Sequence, residues 1–196
     1  MAPTVRRTQA ERRETTQRAI LEGAARALEE VGYNKFTTAF ACERAGVSQG
    51  ALFRYFPTKN ALVVAAARHI FAQLRDSFGS QLLKGKGRPT EAKAVAALWD
   101  VFSSPTLRVI YELYCAAATE PEIAEGLRPI VDEHTEATHL AASRLFPVHA
   151  REKSFHALID MMLFSMQGAS LQFCARRDPA RGRALLEFLV DAVEAK

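Results

Sequence analysis

No stretch of this 196-residue chain approaches the ~18 uninterrupted apolar residues that a membrane-spanning helix requires. Its arginine-rich start also lacks the apolar run of a secretory leader, so the chain is expected to stay in the cytoplasm. Cysteine is scarce: Cys42, Cys115 and Cys174 are odd in number and far apart, which excludes a disulfide framework and the paired spacing of a zinc knuckle. Net charge is low, +4, and its sign alone points to no partner. No segment alternates apolar and polar residues with period two between turn signals, so strands are not expected. A nucleophile elbow, a phosphate-binding glycine loop and a metalloprotease motif are all missing, and with them goes any reason to expect an enzyme or a cofactor. There is no internal repeat.

What charge there is lies at one end. Residues 1 to 60 hold ten Lys or Arg against six Asp or Glu, while residues 61 to 196 hold sixteen of each. An N-terminal excess of this kind suits contact with a polyanion, where neutralised phosphates release counterions. A solvated helical face would account for it equally well. Arg6, Arg7, Arg12 and Arg13 cluster before the apolar stripe of the first helix begins, which suits an arm that contacts a nucleic-acid backbone.

Apolar residues return at steps of three and four almost throughout, which predicts an all-α chain of about nine helices. The first should run from about Thr8 to Val31, with Gly32 as its stop. A second follows Thr37 and ends at Ala45-Gly46; a third opens at Ser48 and stops before Pro57. The others are expected at Lys59 to Phe78, Glu91 to Phe102, Thr106 to Thr119, Pro121 to Leu145, Ala150 to Arg176 and Pro179 to Glu194. Pro129 should kink or split the helix that contains it, and Lys84 to Pro89 reads as a loop. Two domains follow, residues 1–58 and residues 59–196.

The second and third helices have the spacing of a helix-turn-helix. In such a unit one short helix clamps another so that the second can lie in a major groove. Ala41, Ala45, Val47, Leu52 and Phe56 supply contacts between the pair, and Gly46 makes the sharp turn. Gln49, Gly50, Ala51, Arg54 and Tyr55 are left to face outward; Gln can pair with adenine, Arg with guanine, and Gly and Ala allow close approach to the duplex.

These residues carry a resemblance. GlyTyrAsnLysPheThrThr through AlaGlyValSerGlnGlyAlaLeuPheArgTyrPheProThrLys, within Arg18 to Leu62, resembles the DNA-binding signature of the tetracycline-repressor (TetR) family. The resemblance implies that Thr37, Phe53, Tyr55 and Lys59 lie near phosphates, while Gln49, Gly50, Ala51 and Arg54, opened by Ser48, approach bases. Ala41-Cys42 stands where the family usually shows a branched apolar residue and alanine, Phe40 replaces a common acidic residue, and Phe53 takes a place often held by tyrosine. Cys42 reads as a small buried hydrophobe rather than a redox switch.

What the resemblance implies for the rest of the chain is a helical bundle that binds a small, largely apolar effector and dimerises, so that a homodimer meets double-stranded operator DNA. Repression is the family's default. The rings and thioethers Phe71, Trp99, Phe102, Tyr111, Tyr114, Cys115 and Met162, with Met161 and Phe164, are suited to an apolar pocket and equally to a core. The helix from Ala150 is apolar nearly all round, and the last helix has a continuous apolar stripe. Phe155, Ile159, Met166, Gly168, Phe173, Leu186, Leu189 and Val193 are therefore the expected dimer contacts. Asp132, Glu136 and His139 share a helix face, as do His156 and Asp160, but no fourth ligand is specified and no metal is expected.

Overall fold

The computed structural model describes residues 8–84, 89–175 and 179–194. Among them there are nine α-helices and no strand. They are α1 (Gln9–Lys35), α2 (Thr38–Ala45), α3 (Gln49–Tyr55), α4 (Lys59–Leu82), α5 (Glu91–Phe102), α6 (Pro105–Ala117), α7 (Pro121–Leu145), α8 (Phe155–Ala175) and α9 (Pro179–Glu194). The chain is all-α, as its periodicity requires.

Local chemistry sets the boundaries. Thr8 caps α1 in a reciprocal box with Glu11, which satisfies two amides that the first turn leaves open. Gly32, at φ 74° and ψ 169°, breaks α1 before a last short turn, a conformation that only glycine adopts cheaply. Thr37 caps α2, Gly46 ends it in the left-handed region at φ 66°, and Ser48 caps α3.

Several of the expected helix limits are corrected. Helix α4 continues to Leu82, whereas α6 stops at Ala117, where Thr119 and Glu120 turn back onto the Ala116 carbonyl. Helix α7 is continuous through Pro129, so of the expected kink or split the split does not occur; one amide hydrogen bond is lost, but the buried Ile123, Leu127 and Ile130 anchor the turns on either side. The helix expected from Ala150 begins at Phe155 instead, after a single 3-10 turn at His149–Arg151 and an extended Glu152. The expected loop from Lys84 includes residues 85–88, which lie outside the described residues, as do Arg6 and Arg7.

By packing the chain forms two compact units, discontinuous in sequence. The first comprises Met1–Ile70 and Val109–Arg128, the second Phe71–Arg108 and Pro129–Lys196. Packing therefore does not divide the chain at residue 58, because Leu62, Val63, Ala66, Ala67 and Ile70 of α4 are buried in the first unit. That unit centres on Ile20, Leu28, Phe36, Leu52, Ile110, Leu113 and Ile123. The second centres on Val95, Ala142, Phe155, Ile159, Met162, Met166 and Leu189. No helix among the described residues is long and apolar enough to cross a membrane.

Candidate nucleic-acid interface

Helix α3 is short, and seven residues do not hold a helix in water unaided. Its rigidity comes from its surroundings. The Ser48 hydroxyl accepts the Ala51 amide at 3.2 Å, Val47 donates to the Cys42 carbonyl at 3.1 Å across the turn, and Leu52 and Phe56 are buried. Beneath it, α2 contributes Ala41 and Cys42, both buried. Burial pushes the Cys42 thiol up from its usual range, so this side chain serves as a small apolar filler. Helix α2 lies against α1 at Gly23, where a side chain would meet the Ala45 backbone.

With Leu52 and Phe56 turned inward, the other face of α3 is open. Ser48, Gln49, Gly50, Phe53 and Arg54 are exposed, Ala51 and Tyr55 half-buried, and Gly50 has nothing within 4 Å of its missing Cβ. Phe53 keeps 42 % of its surface exposed on this face. Thr37 is exposed, with its hydroxyl engaged by the Phe40 amide at 3.1 Å.

Beside α3 the first two turns of α1 complete a basic cleft of ≈ 640 Å³, with Arg12, Arg13 and Thr16 on one wall and Arg54 and Tyr55 on the other. The sequence places the arginines of α1 in an arm; the structure brings two of them to α3. Lys59, at the start of α4, is held with its ammonium 5.0 Å from the Tyr33 ring and 6.0 Å from that of Phe36. Not every cation here is available to a partner. Arg44 grips Glu30 at 2.7 Å and Glu43 at 2.9 Å and lies 4.3 Å over the Phe40 ring, so phenylalanine at that position seats an internal ion pair. The Arg44 hydrogen bond holds the Glu30 carboxyl below its usual range.

A second support was not legible from spacing. The Tyr33 amide donates to Glu112 at 2.6 Å and its hydroxyl donates to Glu120 at 2.6 Å, tying the end of α1 to residues 79 and 87 positions further on. Burial and the Glu120 hydrogen bond push the Tyr33 phenol well above its ordinary value. Asn60 likewise donates to Glu122 at 2.7 Å.

Residues 20–73 match the family model described as bacterial regulatory proteins, tetR family. An uncharacterized HTH-type transcriptional regulator of Mycobacterium tuberculosis is 32 % identical over 171 residues, covering 84 % of this chain and 86 % of the relative. The chain belongs to the TetR family. Solved structures agree in fold with this TetR-family regulator. One from Rhodococcus sp., described as a TetR-family transcriptional regulator, superposes with TM-score 0.70 at 20 % identity, covering 92 % of this chain and 98 % of that one. The multidrug binding protein EbrR complexed with imidazole gives TM-score 0.63 at 21 % identity, covering 96 % and 95 %. The protein is thus a DNA-binding transcriptional regulator and not an enzyme.

In the second unit of this TetR-family regulator the structure redistributes the residues expected at a pocket and at a dimer interface. Trp99, Phe102 and Met162 gather in one core, whereas Tyr111, Tyr114 and Cys115 belong to the first unit, Cys115 exposed. Phe71 packs against His134. Met161 and Phe164, suited by sequence to a pocket or a core, are exposed instead. Of the expected dimer contacts, Phe155, Ile159, Met166 and Leu189 are buried in the unit's own core, while Leu186 packs against that core half-buried. Phe173 meets Trp99 edge-on at 5.5 Å, Gly168 is exposed, and the side chain of Val193 lies outside the described residues. The apolar side chains of α8 and α9 left most open are Met161, Phe164, Leu171 and Phe188, with Gly168 and Phe173 beside Phe164.

The two polar sets converge. His139 lies 2.7 Å from Asp160 and stacks on His156 with ring centroids 4.4 Å apart, closing α7 onto α8. Among the described residues no group of three or more His, Cys, Asp or Glu side chains is arranged to hold a metal.

Proposed function

We propose that the protein is a homodimeric repressor acting in the cytoplasm. Its two α3 helices lie in successive major grooves of a roughly palindromic operator, and binding of a small, largely apolar effector within residues 59–196 releases it. The observation that carries the DNA half of this reading is the open face of α3, fixed from behind by the fully buried Leu52 and flanked by the Arg12–Arg13–Arg54 cleft. Gln49 and Arg54 are the side chains with base-reading chemistry, Gly50 and Ala51 leave room for the duplex, and Thr37, Ser48, Phe53, Tyr55 and Lys59 border the phosphates with Arg12 and Arg13.

Dimerisation is supported by the open apolar face of α8 and α9. Phe164 and Phe188 keep 69 % and 67 % of their surface exposed, and Gly168 beside Phe164 permits close helix approach. A second copy is the occupant that paired half-sites demand. The effector half is supported by the family and by the crowding of rings and thioethers in the second unit; the partly open cavity beside Met162, ≈ 30 Å³, is far below the size of a ligand site, so an effector needs the unit to open.

Selection of bound sequences from random duplex DNA, followed by footprinting, tests this. A two-fold symmetric site with half-site centres about 34–36 Å apart is expected, with affinity falling steeply as salt rises. Binding that ignores both sequence and salt rules the reading out.

A further inference from the structure

Within the second unit one arginine is partnered in an unusual way. Nη1 of Arg75, on α4, lies 3.2 Å from Nδ1 of His134, on α7. The imidazole packs on the buried Phe71 ring, with centroids 4.5 Å apart. A guanidinium is charged at every accessible pH, and the more of it is taken out of water the more a carboxylate partner offsets the cost; Arg75 is half-buried. Arg44 meets that expectation twice over, with Glu30 and Glu43. Arg75 does not: among the described residues it forms no ion pair, and its polar partner is an imidazole.

The imidazole cannot supply the missing charge. Burial, with the Arg75 charge added, lowers the His134 pKa to about 4, so the ring is neutral at neutral pH. Its Nδ1 accepts from Arg75, which leaves the ring proton on Nε2 as a donor. The remaining guanidinium N–H groups and this N–H are all donors, and they stand beside an aromatic ring. The array offers positive charge and hydrogen-bond donors with an apolar surface adjoining, and lacks an acceptor for a cationic ligand.

We propose that Arg75 and His134 receive the carboxylate of the effector, whose apolar body packs against Phe71, so that the molecule sensed is an organic acid anion. The assignment rests on the effector-release reading above and narrows it. The planar fork of Arg75 matches a carboxylate in two-point contact, which a lysine cannot reproduce. An amine would meet like charge, and a neutral amide would leave the guanidinium uncompensated.

The test uses the full chain with benzoate and hexanoate as probes, benzamide and hexanamide as their uncharged counterparts, and calorimetry plus thermal melting as readouts. Each acid should raise the melting temperature with concentration, as a ligand bound only to the folded state must, and the amides should bind at least tenfold more weakly. R75M should weaken acid binding tenfold or more, and R75K, which keeps the charge and so guards against a variant that merely unfolds, several-fold. Saturable binding by neither acid, equal binding of the amides, or undiminished acid binding in R75M overturns the assignment. Operator binding measured alongside separates the two readings. Acids that bind through Arg75 without changing operator affinity uphold the site and remove the release model. Release by the amides in wild type and R75M alike upholds release and removes the site.

Discussion

Gly23 on α1 and Ala45 on α2 are in backbone contact: a Cβ on Gly23 would lie 2.6 Å from the Ala45 nitrogen and 2.7 Å from its Cα. Backbone cannot rotate away as a side chain can, so Gly23→Ala must push α2 off α1. Overpacking of this sort costs roughly 1–3 kcal/mol, more than the ~1 kcal/mol that alanine gains over glycine inside a helix. Because α2 braces α3, operator affinity should fall together with the melting temperature. Gly50→Ala provides the contrast, since nothing lies within 4 Å of that position: it should melt no lower than wild type and still bind DNA more weakly, if the groove approaches α3 as closely as proposed. Equal melting of Gly23→Ala and wild type would contradict the packing argument.

Arg54 and Lys59 should fail in different ways. Arg54 stands exposed on α3 beside the basic cleft. If it reads guanine, Arg54→Ala costs about 1–3 kcal/mol at the cognate site and relaxes preference at one base position. Lys59 is seated over Tyr33 and Phe36 at the first turn of α4. Lys59→Ala should weaken binding to all sequences alike and lower the salt slope by about one unit. Titrations at several salt concentrations on specific and scrambled duplexes separate the two, and identical profiles would remove the distinction in roles.

Much of this was legible because the relevant chemistry is local. Thr37, Gly46 and Ser48 are boundary residues whose side chains or missing Cβ act within four residues of themselves, so the helix-turn-helix could be read directly. Helix α8 shows where that stops. Its apolar residues surround the axis, and sequence alone could not say which of its faces the chain itself would cover; Phe155, Ile159 and Met166 went inside, and Met161 and Phe164 stayed out. Tyr33 with Glu112 and Glu120, and Arg75 with His134, were illegible for another reason. Each joins residues 59 to 87 positions apart, and no periodicity records such a pairing.

The open face of α8 and α9 leads to a prediction about assembly. Phe164 and Phe188 are mostly exposed, so replacing either with Glu removes little intramolecular packing but places charge where a second chain would sit. Phe164→Glu and Phe188→Glu should each shift the protein from dimer to monomer in sedimentation equilibrium while retaining helical content, and operator affinity should drop because one half-site is bound at a time. Met166→Glu, at a position with no exposed surface, should instead fail to fold. A Phe164→Glu protein that remains dimeric would show that the chains meet elsewhere.

His134 gives the protein an acid limb whose sign is fixed by its surroundings. Burial, then the charge of Arg75, lower its pKa from 6.5 to about 4, so the unfolded chain takes up a proton at a pH where the folded one refuses it. A group that resists charging in the fold contributes stability that is fully present above pH 6.5, declines as the pH falls, and is gone below about 4. A shift of that size corresponds to roughly 3 kcal/mol in all. Asn at this position can still accept from Arg75 but does not titrate, so His134→Asn should flatten the stability curve between pH 6.5 and 4 relative to wild type. Urea unfolding across that range measures the difference, and a proton NMR titration of the imidazole gives the pKa directly. An imidazole found to titrate near 6.5 in the folded protein would mean that the ring is solvated, and both the acid limb and the neutral partner of Arg75 would go with it.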